Sequence, residues 1–270
     1  MIFKIKNLYF SGFLLATIYY LVLFIQTWFL FTYVKLNFFE LNIKVFILEL
    51  IPYMLITFFS VLVAKKSSPA HIKSNFNVSS ILLVIFLALM ARIFVDPIFH
   101  VKEILKLRSI PKNVVSLEIP KLQYLLVFLK TVIIIPIIEE FFFRGIILNT
   151  LVSKNNKLIP SILFSSLLFS MVHINFTSIN YDLLITAFVF GIFSGFIFIK
   201  WGLFFCILFH CMYNTLWLVL NIYRTTYWNV VREFDFNINY WLIILFSAVV
   251  ILFFMKKALS EKIPEKKKTI

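Results

Sequence analysis

Long apolar runs, separated by short connections rich in lysine, follow one another along the whole chain. The runs lie at about residues 8–34, 45–64, 80–100, 123–152, 159–176, 181–200, 203–222 and 240–255. About 20 apolar residues are needed for a helix to cross the hydrocarbon core of a bilayer, and most of these runs approach that length. A membrane β-barrel would instead alternate apolar and polar residues over short strands. The pattern therefore predicts an all-α fold, a polytopic membrane helical bundle of about eight transmembrane helices within one integral-membrane domain, residues 1–270.

Composition and charge support this assignment. Hydrophobic residues make up 62% of the chain and charged residues 14%, whereas a soluble domain is roughly half apolar and about a quarter charged. This balance excludes a soluble globular protein, a disordered chain and a coiled coil. The net charge of +14 lies mostly in loops and tails, where basic residues orient membrane proteins, so the lipid bilayer is the expected partner and nucleic acid is not. The bias of Lys and Arg favours both termini on the cytoplasmic side.

Several features along the chain receive structural interpretations. The first run follows two lysines and is too long for a cleaved signal peptide, so we interpret it as an uncleaved signal anchor. Cys206 and Cys211 are five residues apart, which gives no disulfide or metal signature. Gly191 and Gly195, four apart, predict close packing of one helix against a neighbour. Pro136 lies inside an apolar run and predicts a bend and a freed carbonyl one turn earlier.

The most unusual polar residues are two adjacent acids in the fourth run. Glu140 and Arg144 are four apart, so they share a helix face and are expected to form an ion pair. Glu139 points about 100° away from Glu140 and has no such local partner. Charged groups are costly in hydrocarbon, so an unpaired intramembrane acid is a candidate functional residue.

Three further polar side chains lie at helical spacing in later runs. Phe169 and His173 are four apart, and so are His210 and Asn214. Counted from the connection at 153–158, Glu139 and His173 lie at a similar depth, roughly 20 Å at a rise of about 1.5 Å per residue. One acid, two imidazoles and one amide are therefore expected to meet in a polar cavity between helices.

These residues resemble the three motifs of the CPBP intramembrane proteases, which include CAAX proteases and bacteriocin-processing enzymes and are also called the Abi family. The match consists of Glu-Glu-x-x-x-Arg at 139–144, Phe-x-x-x-His at 169–173 and His-x-x-x-Asn at 210–214, in the family's order. The resemblance covers about residues 123–222, the expected catalytic core. It implies a multi-pass protein of a membrane, here expected to be the bacterial cytoplasmic membrane, that hydrolyses a membrane-associated peptide or protein.

The resemblance leaves two assignments open for the site. In the first, which we favour, Glu139 is the general base, assisted by His173, while His210 and Asn214 donate hydrogen bonds to the oxyanion. Glu140, Arg144 and Phe169 then support these residues. In the second, Glu139, His173 and His210 bind a zinc ion that activates water. A different class of function also stays open, that of a non-catalytic bacteriocin-immunity or membrane sensor protein on the same fold.

Overall fold

The computed structural model describes residues 8–33, 43–64, 77–112, 114, 120–155, 157–174 and 179–260. The described part of the chain is helical and contains no strand. The longer α-helices are α1 Leu8–Tyr33, α2 Ile43–Ala64 and α3 Val78–Phe94, and two single-turn helices follow, α4 Asp96–Phe99 and α5 Val101–Ile104. The basic tail from residue 261 and the connections at 34–42 and 65–76 lie outside the described residues.

The second half of the chain holds the remaining helices. A continuous helix over 121–155 consists of α6 Lys121–Val127, the π-helical π1 Phe128–Ile134, α7 Ile135–Glu140, the π-helical π2 Phe141–Leu148 and α8 Asn149–Asn155. It is followed by α9 Leu158–Met171, α10 Tyr181–Trp201, α11 Leu203–Ile222, α12 Arg224–Phe234 and α13 Ile238–Ser260.

The fold class predicted from the apolar runs is confirmed. Five of the described helices are long and apolar enough to cross a membrane, and Phe46–Phe58 and Leu158–Met171 form shorter apolar helices. The long helix over 121–155 corresponds to the fourth predicted run, although its π-helical segments interrupt the regular α pattern. The architecture is a polytopic helical bundle, and the number of eight crossings stays a prediction.

The interior of the bundle is built from aromatic and aliphatic side chains. Helix α10 packs against α9, and α11 packs against α3 and α10. The predicted close approach is present, because a Cβ added to Gly191 would lie 2.9 Å from the Cβ of Ser166. A Cβ added to Gly195 would lie 2.9 Å from the Cγ2 of Ile162. Only glycine allows α9 and α10 to approach to this distance.

Pro136 is associated with a change of helix type. In π1 the hydrogen bonds run five residues back, and the N–H of Ile135 donates to the carbonyl of Lys130. The next bond in that series would join residue 136 to the carbonyl of Thr131, but proline has no N–H. The Thr131 carbonyl is bound instead by the side chain of Asn214, whose Nδ2 lies 2.7 Å away. The chain thus fills the gap left by Pro136 with a side chain from α11.

Two further ion pairs lie outside the motif residues. Arg92 Nη1 lies 3.8 Å from Asp96 Oδ1, one turn later in the chain. Lys130 of π1 forms an ion pair with Glu49 of α2, and this contact joins the long helix over 121–155 to α2.

Helix α12 was missed by the sequence analysis because it is amphipathic and not apolar. Its apolar side chains Trp228 and Val231 are buried, while Arg232 donates hydrogen bonds to the carbonyls of Pro111 and Lys112. The helix therefore packs against the loop that follows α5.

Candidate active site

The motif residues converge where α7 and π2, α9 and α11 meet inside the bundle. Glu139, Glu140 and His210 have only 5%, 0% and 5% of their surface exposed. His173 is half-buried at the end of α9, and Asn214 is half-buried on α11. The polar cluster is therefore enclosed by surrounding side chains.

Glu140 is the centre of the hydrogen-bond network. Its Oε2 lies 3.2 Å from Arg144 Nε, which is the ion pair predicted from the spacing. The same oxygen accepts a hydrogen bond from Ser194 Oγ of α10 at 2.7 Å, and Oε1 lies 2.9 Å from His210 Nδ1 of α11. Glu140 therefore joins three helices as well as neutralising Arg144.

Arg144 is itself fully buried and contacts α9 and α10. Its Nη2 donates a hydrogen bond to the Gly191 carbonyl at 3.2 Å. Its guanidinium carbon lies 4.5 Å from the centre of the Phe169 ring, a cation–π distance. A planar guanidinium suits this combination of one carboxylate, one carbonyl and one aromatic face better than a lysine would.

Glu139 has a different environment from Glu140. Its Oε2 lies 3.9 Å from Nε2 of His210, too far for a direct hydrogen bond but close enough for a water or a reacting atom to contact both. It also lies near the hydroxyl group of Tyr19 of α1. Within the described residues no hydrogen bond or ion pair joins Glu139 to His173, so the structure does not bring that predicted pair into direct contact.

The contact with Glu140 fixes the orientation and the tautomer of His210. A carboxylate only accepts hydrogen bonds, so Nδ1 of His210 carries a hydrogen and donates it in the hydrogen bond to Glu140. Nε2 is therefore left facing Glu139, with a lone pair when the ring is neutral and with a proton when it is an imidazolium. His210 can donate a hydrogen bond to an oxyanion only in the protonated form, which the Glu140 carboxylate stabilises.

His173 is held by the other residue of its own motif. Its Nδ1 lies 2.8 Å from the carbonyl oxygen of Phe169, so Nδ1 is the donor and Nε2 is left available. The Phe169 ring centre lies 4.9 Å from that of His173 and 6.0 Å from that of His210. Phe169 therefore separates the two imidazoles while its other face contacts Arg144.

Asn214 has a structural contact that its motif did not predict. One of the two N–H groups of its side-chain amide donates a hydrogen bond to the Thr131 carbonyl. The second N–H and the amide oxygen have no hydrogen bond among the described contacts, and an amide nitrogen can donate twice. Asn214 can thus hold π1 in place and still donate to a bound group.

The described residues do not assemble the ligand set of the zinc assignment. Zinc in proteins takes at least three protein ligands about 2 Å away. In the part of the chain that the structure describes, no group of three or more His, Cys, Asp or Glu side chains lies close enough together to hold a metal ion. Of the three residues proposed as ligands, Glu139 and His210 approach to 3.9 Å, and no hydrogen bond or ion pair among the described residues joins Glu139 to His173.

Two contributors to the site were missed by the sequence analysis. Ser194 of α10 donates a hydrogen bond to Glu140, a contact for which the sequence gives no signal. Tyr19 lies in the first apolar run, where a tyrosine carries no motif, and only the folded structure places it near Glu139. Ser165 and Ser170 bridge helices by donating hydrogen bonds to the carbonyls of Phe143 and Leu184.

Comparison with known proteins gives one match. Residues 121–216 match the family model described as Rce1-like, type II CAAX prenyl endopeptidase Rce1-like. The matched segment contains all three motifs and overlaps the expected core at 123–222. This match confirms the resemblance to CAAX-type intramembrane proteases that the motifs indicated. Neither a curated protein nor a solved structure matches the chain significantly.

Proposed function

We propose that the protein is an intramembrane endopeptidase that cleaves a membrane-associated peptide or protein, since residues 121–216 match the family model described as Rce1-like, type II CAAX prenyl endopeptidase Rce1-like. The observation that carries this proposal is the close approach of Glu139 Oε2 and His210 Nε2, 3.9 Å apart within a buried polar cluster. At this separation one water molecule can hydrogen-bond to both the acid and the imidazole from one side.

In the proposed reaction Glu139 accepts a proton from a water molecule, and the water oxygen attacks the carbonyl carbon of the substrate. The oxyanion that forms accepts hydrogen bonds from Nε2–H of protonated His210 and from the second amide N–H of Asn214. When the C–N bond breaks, Glu139 returns the proton to the leaving amine. His173 assists Glu139 through its Nε2 once the substrate is bound.

The surrounding residues support this chemistry by fixing the reacting groups. Glu140 holds Nδ1 of His210, so that Nε2 always faces Glu139. Arg144 and Ser194 hold Glu140, and Phe169 packs against Arg144. Groups that are already oriented need not reorganise as charge develops, and this is a main source of catalysis.

We further propose that the reaction is independent of metal ions, because the described residues gather no three-ligand site. Activity should survive a strong chelator. Complete loss of activity with chelator, restored by added zinc, would instead assign Glu139, His173 and His210 to a metal.

We also propose that the protein is a multi-pass protein of a bacterial cytoplasmic membrane with both termini in the cytoplasm. The excess of basic residues on that side supports this orientation. A reporter fused to the C-terminus should be active only inside the cell, and activity only outside would contradict the orientation.

The experiment for the proposed activity compares the membrane peptides of cells that produce either the wild type or Glu139→Gln at equal levels. Mass spectrometry should find peptides with new termini that occur only with the wild type. Identical peptide populations would contradict the endopeptidase assignment and favour a non-catalytic immunity or sensor role.

A further inference from the structure

Helix α1 reaches the cluster from outside the segment that matches the protease family. One face of α1 is buried, with spacings of three and four residues between its members Ser11, Leu15, Ala16 and Tyr19. At the end of this face, Tyr19 is only 1% exposed. Its ring centre lies 4.9 Å from that of Phe142 and 5.5 Å from that of Phe143, both in π2. These contacts place Tyr19 one turn from the acidic pair.

Phe142 and Phe143 lie three and four residues after Glu139, so the packed ring brings the Tyr19 hydroxyl close to the Glu139 carboxyl. The hydroxyl nevertheless makes no hydrogen bond of ordinary geometry in the structure. A buried hydroxyl without a partner costs free energy, so a fully enclosed one beside a carboxylate requires an explanation.

The groups around Glu139 account for the position of the Tyr19 hydroxyl. His210 Nε2 of α11 lies 3.9 Å from the Glu139 carboxyl. Tyr53 of α2 lies within electrostatic range of the same carboxyl. Glu140 already has Arg144, Ser194 and His210 as partners, whereas no Lys or Arg among the described residues forms an ion pair with Glu139. Tyr19 is the hydroxyl best placed, among the described residues, to bind Glu139.

We propose that Tyr19 is a positioning residue of the site, whose hydroxyl donates a hydrogen bond to the Glu139 carboxylate and holds its other oxygen toward His210. The site is thus completed by a helix outside the family segment. This inference rests on the proposed function for its kinetic consequence, but the contact itself does not. Tyrosine suits the role because its ring is fixed by packing while its hydroxyl remains a donor.

The test uses Tyr19→Phe in the full-length protein in lipid nanodiscs, with Tyr20→Phe as the matched control. Tyr20 is the next residue on α1, and its ring stacks on Phe24 of the same helix at 6.1 Å. Both variants remove one hydroxyl from the same helix and keep the ring, so both should retain the melting temperature within a few degrees.

The first measurement is kinetic, with an internally quenched farnesylated CAAX peptide as probe. Tyr19→Phe should lower kcat by about 10- to 100-fold, the range for losing a hydrogen bond to a charged group. KM should stay within about twofold, because Tyr19 acts through Glu139 and not on the substrate. Equal kcat in Tyr19→Phe and Tyr20→Phe would overturn the proposal.

The second measurement needs no activity. Infrared spectroscopy identifies the carboxyl band of Glu139 as the band that is lost in Glu139→Gln. This band should shift in Tyr19→Phe and stay in place in Tyr20→Phe, and an unshifted band in Tyr19→Phe would overturn the contact. A shifted band in a protein whose wild type does not cleave the probe would support the contact while counting against the proposed function on this substrate.

Discussion

Replacing Glu140 by glutamine tests whether the two adjacent acids have different roles. Glu140 and Arg144 are both fully buried, and glutamine keeps the shape of the side chain while removing its charge. Arg144 would then retain the Gly191 carbonyl and the Phe169 ring but no anion. Breaking a buried ion pair by removing one partner typically costs about 3–5 kcal/mol.

This cost can be converted into a melting temperature. For a chain of this size, 1 kcal/mol corresponds to a change of roughly 2–4 °C, so Glu140→Gln should lower the melting temperature by about 6–20 °C. The lower end is expected if the new amide still bonds Ser194. Activity should fall as well, because His210 loses the carboxylate that binds its Nδ1.

A second substitution separates stability from activity. In Glu140→Gln combined with Arg144→Met, the stranded charge is removed, and apolar replacement of a buried pair is often neutral for stability. The double variant should therefore regain part of the lost melting temperature. It should not regain activity, because His210 still lacks its carboxylate partner.

Glu139→Gln is the matched control, since it removes the neighbouring acid, which has no ion pair with Arg144. Protein level, melting temperature in detergent and peptide cleavage are measured for all three variants. Glu139→Gln should be stable and inactive. If Glu140→Gln proves stable and inactive while Glu139→Gln still cleaves, the catalytic acid has been assigned to the wrong residue.

The remaining predictions concern a helix contact, a pH dependence and the role of metal ions. Asn214→Ala should lower the free energy of unfolding by about 1–3 kcal/mol, because it leaves the Thr131 carbonyl unpaired. In a Pro136→Ala background, where the backbone N–H is restored, the same substitution should cost less. Equal costs in the two backgrounds would refute the link between Asn214 and Pro136. Burial lowers the pKa of His100, which lies between α4 and α5, and its Nδ1 has no hydrogen-bond partner among the described residues. The folded state therefore resists protonation of His100, and the melting temperature should fall as pH drops below about 6.5. The same fall in His100→Gln would contradict this assignment. A chelator at millimolar concentration should leave cleavage by the wild type within about twofold of its untreated rate, which zinc-dependent recovery would disprove.

The sequence predicted those features that depend on local spacing. The Glu140–Arg144 pair follows from a separation of four residues, and the close packing at Gly191 and Gly195 follows from the same interval. The apolar runs predicted the helices because a segment inside lipid must satisfy its own backbone hydrogen bonds. Helix α12 was missed because it is amphipathic and has no apolar run.

The contacts that define the site depend instead on tertiary packing. Glu140 and His210 are 70 residues apart in the chain, and neither spacing nor depth indicated that Glu140 would be the acid that holds the imidazole. Tyr19 is farther still from the motifs. The switch to π-helix around Pro136 was predicted only as a bend, because hydrophobic periodicity does not distinguish hydrogen bonds four residues back from those five back.

The most direct test of peptide-bond hydrolysis at Glu139 follows the oxygen of the attacking water. A synthetic peptide spanning a junction found in the membrane-peptide comparison is incubated with purified protein in nanodiscs, in water enriched in oxygen-18. The wild type should produce a fragment whose new carboxyl terminus carries the heavy isotope, and Glu139→Gln, at the same melting temperature, should produce none. Cleavage at the same rate by both proteins, or intact peptide with the purified wild type, would contradict the account.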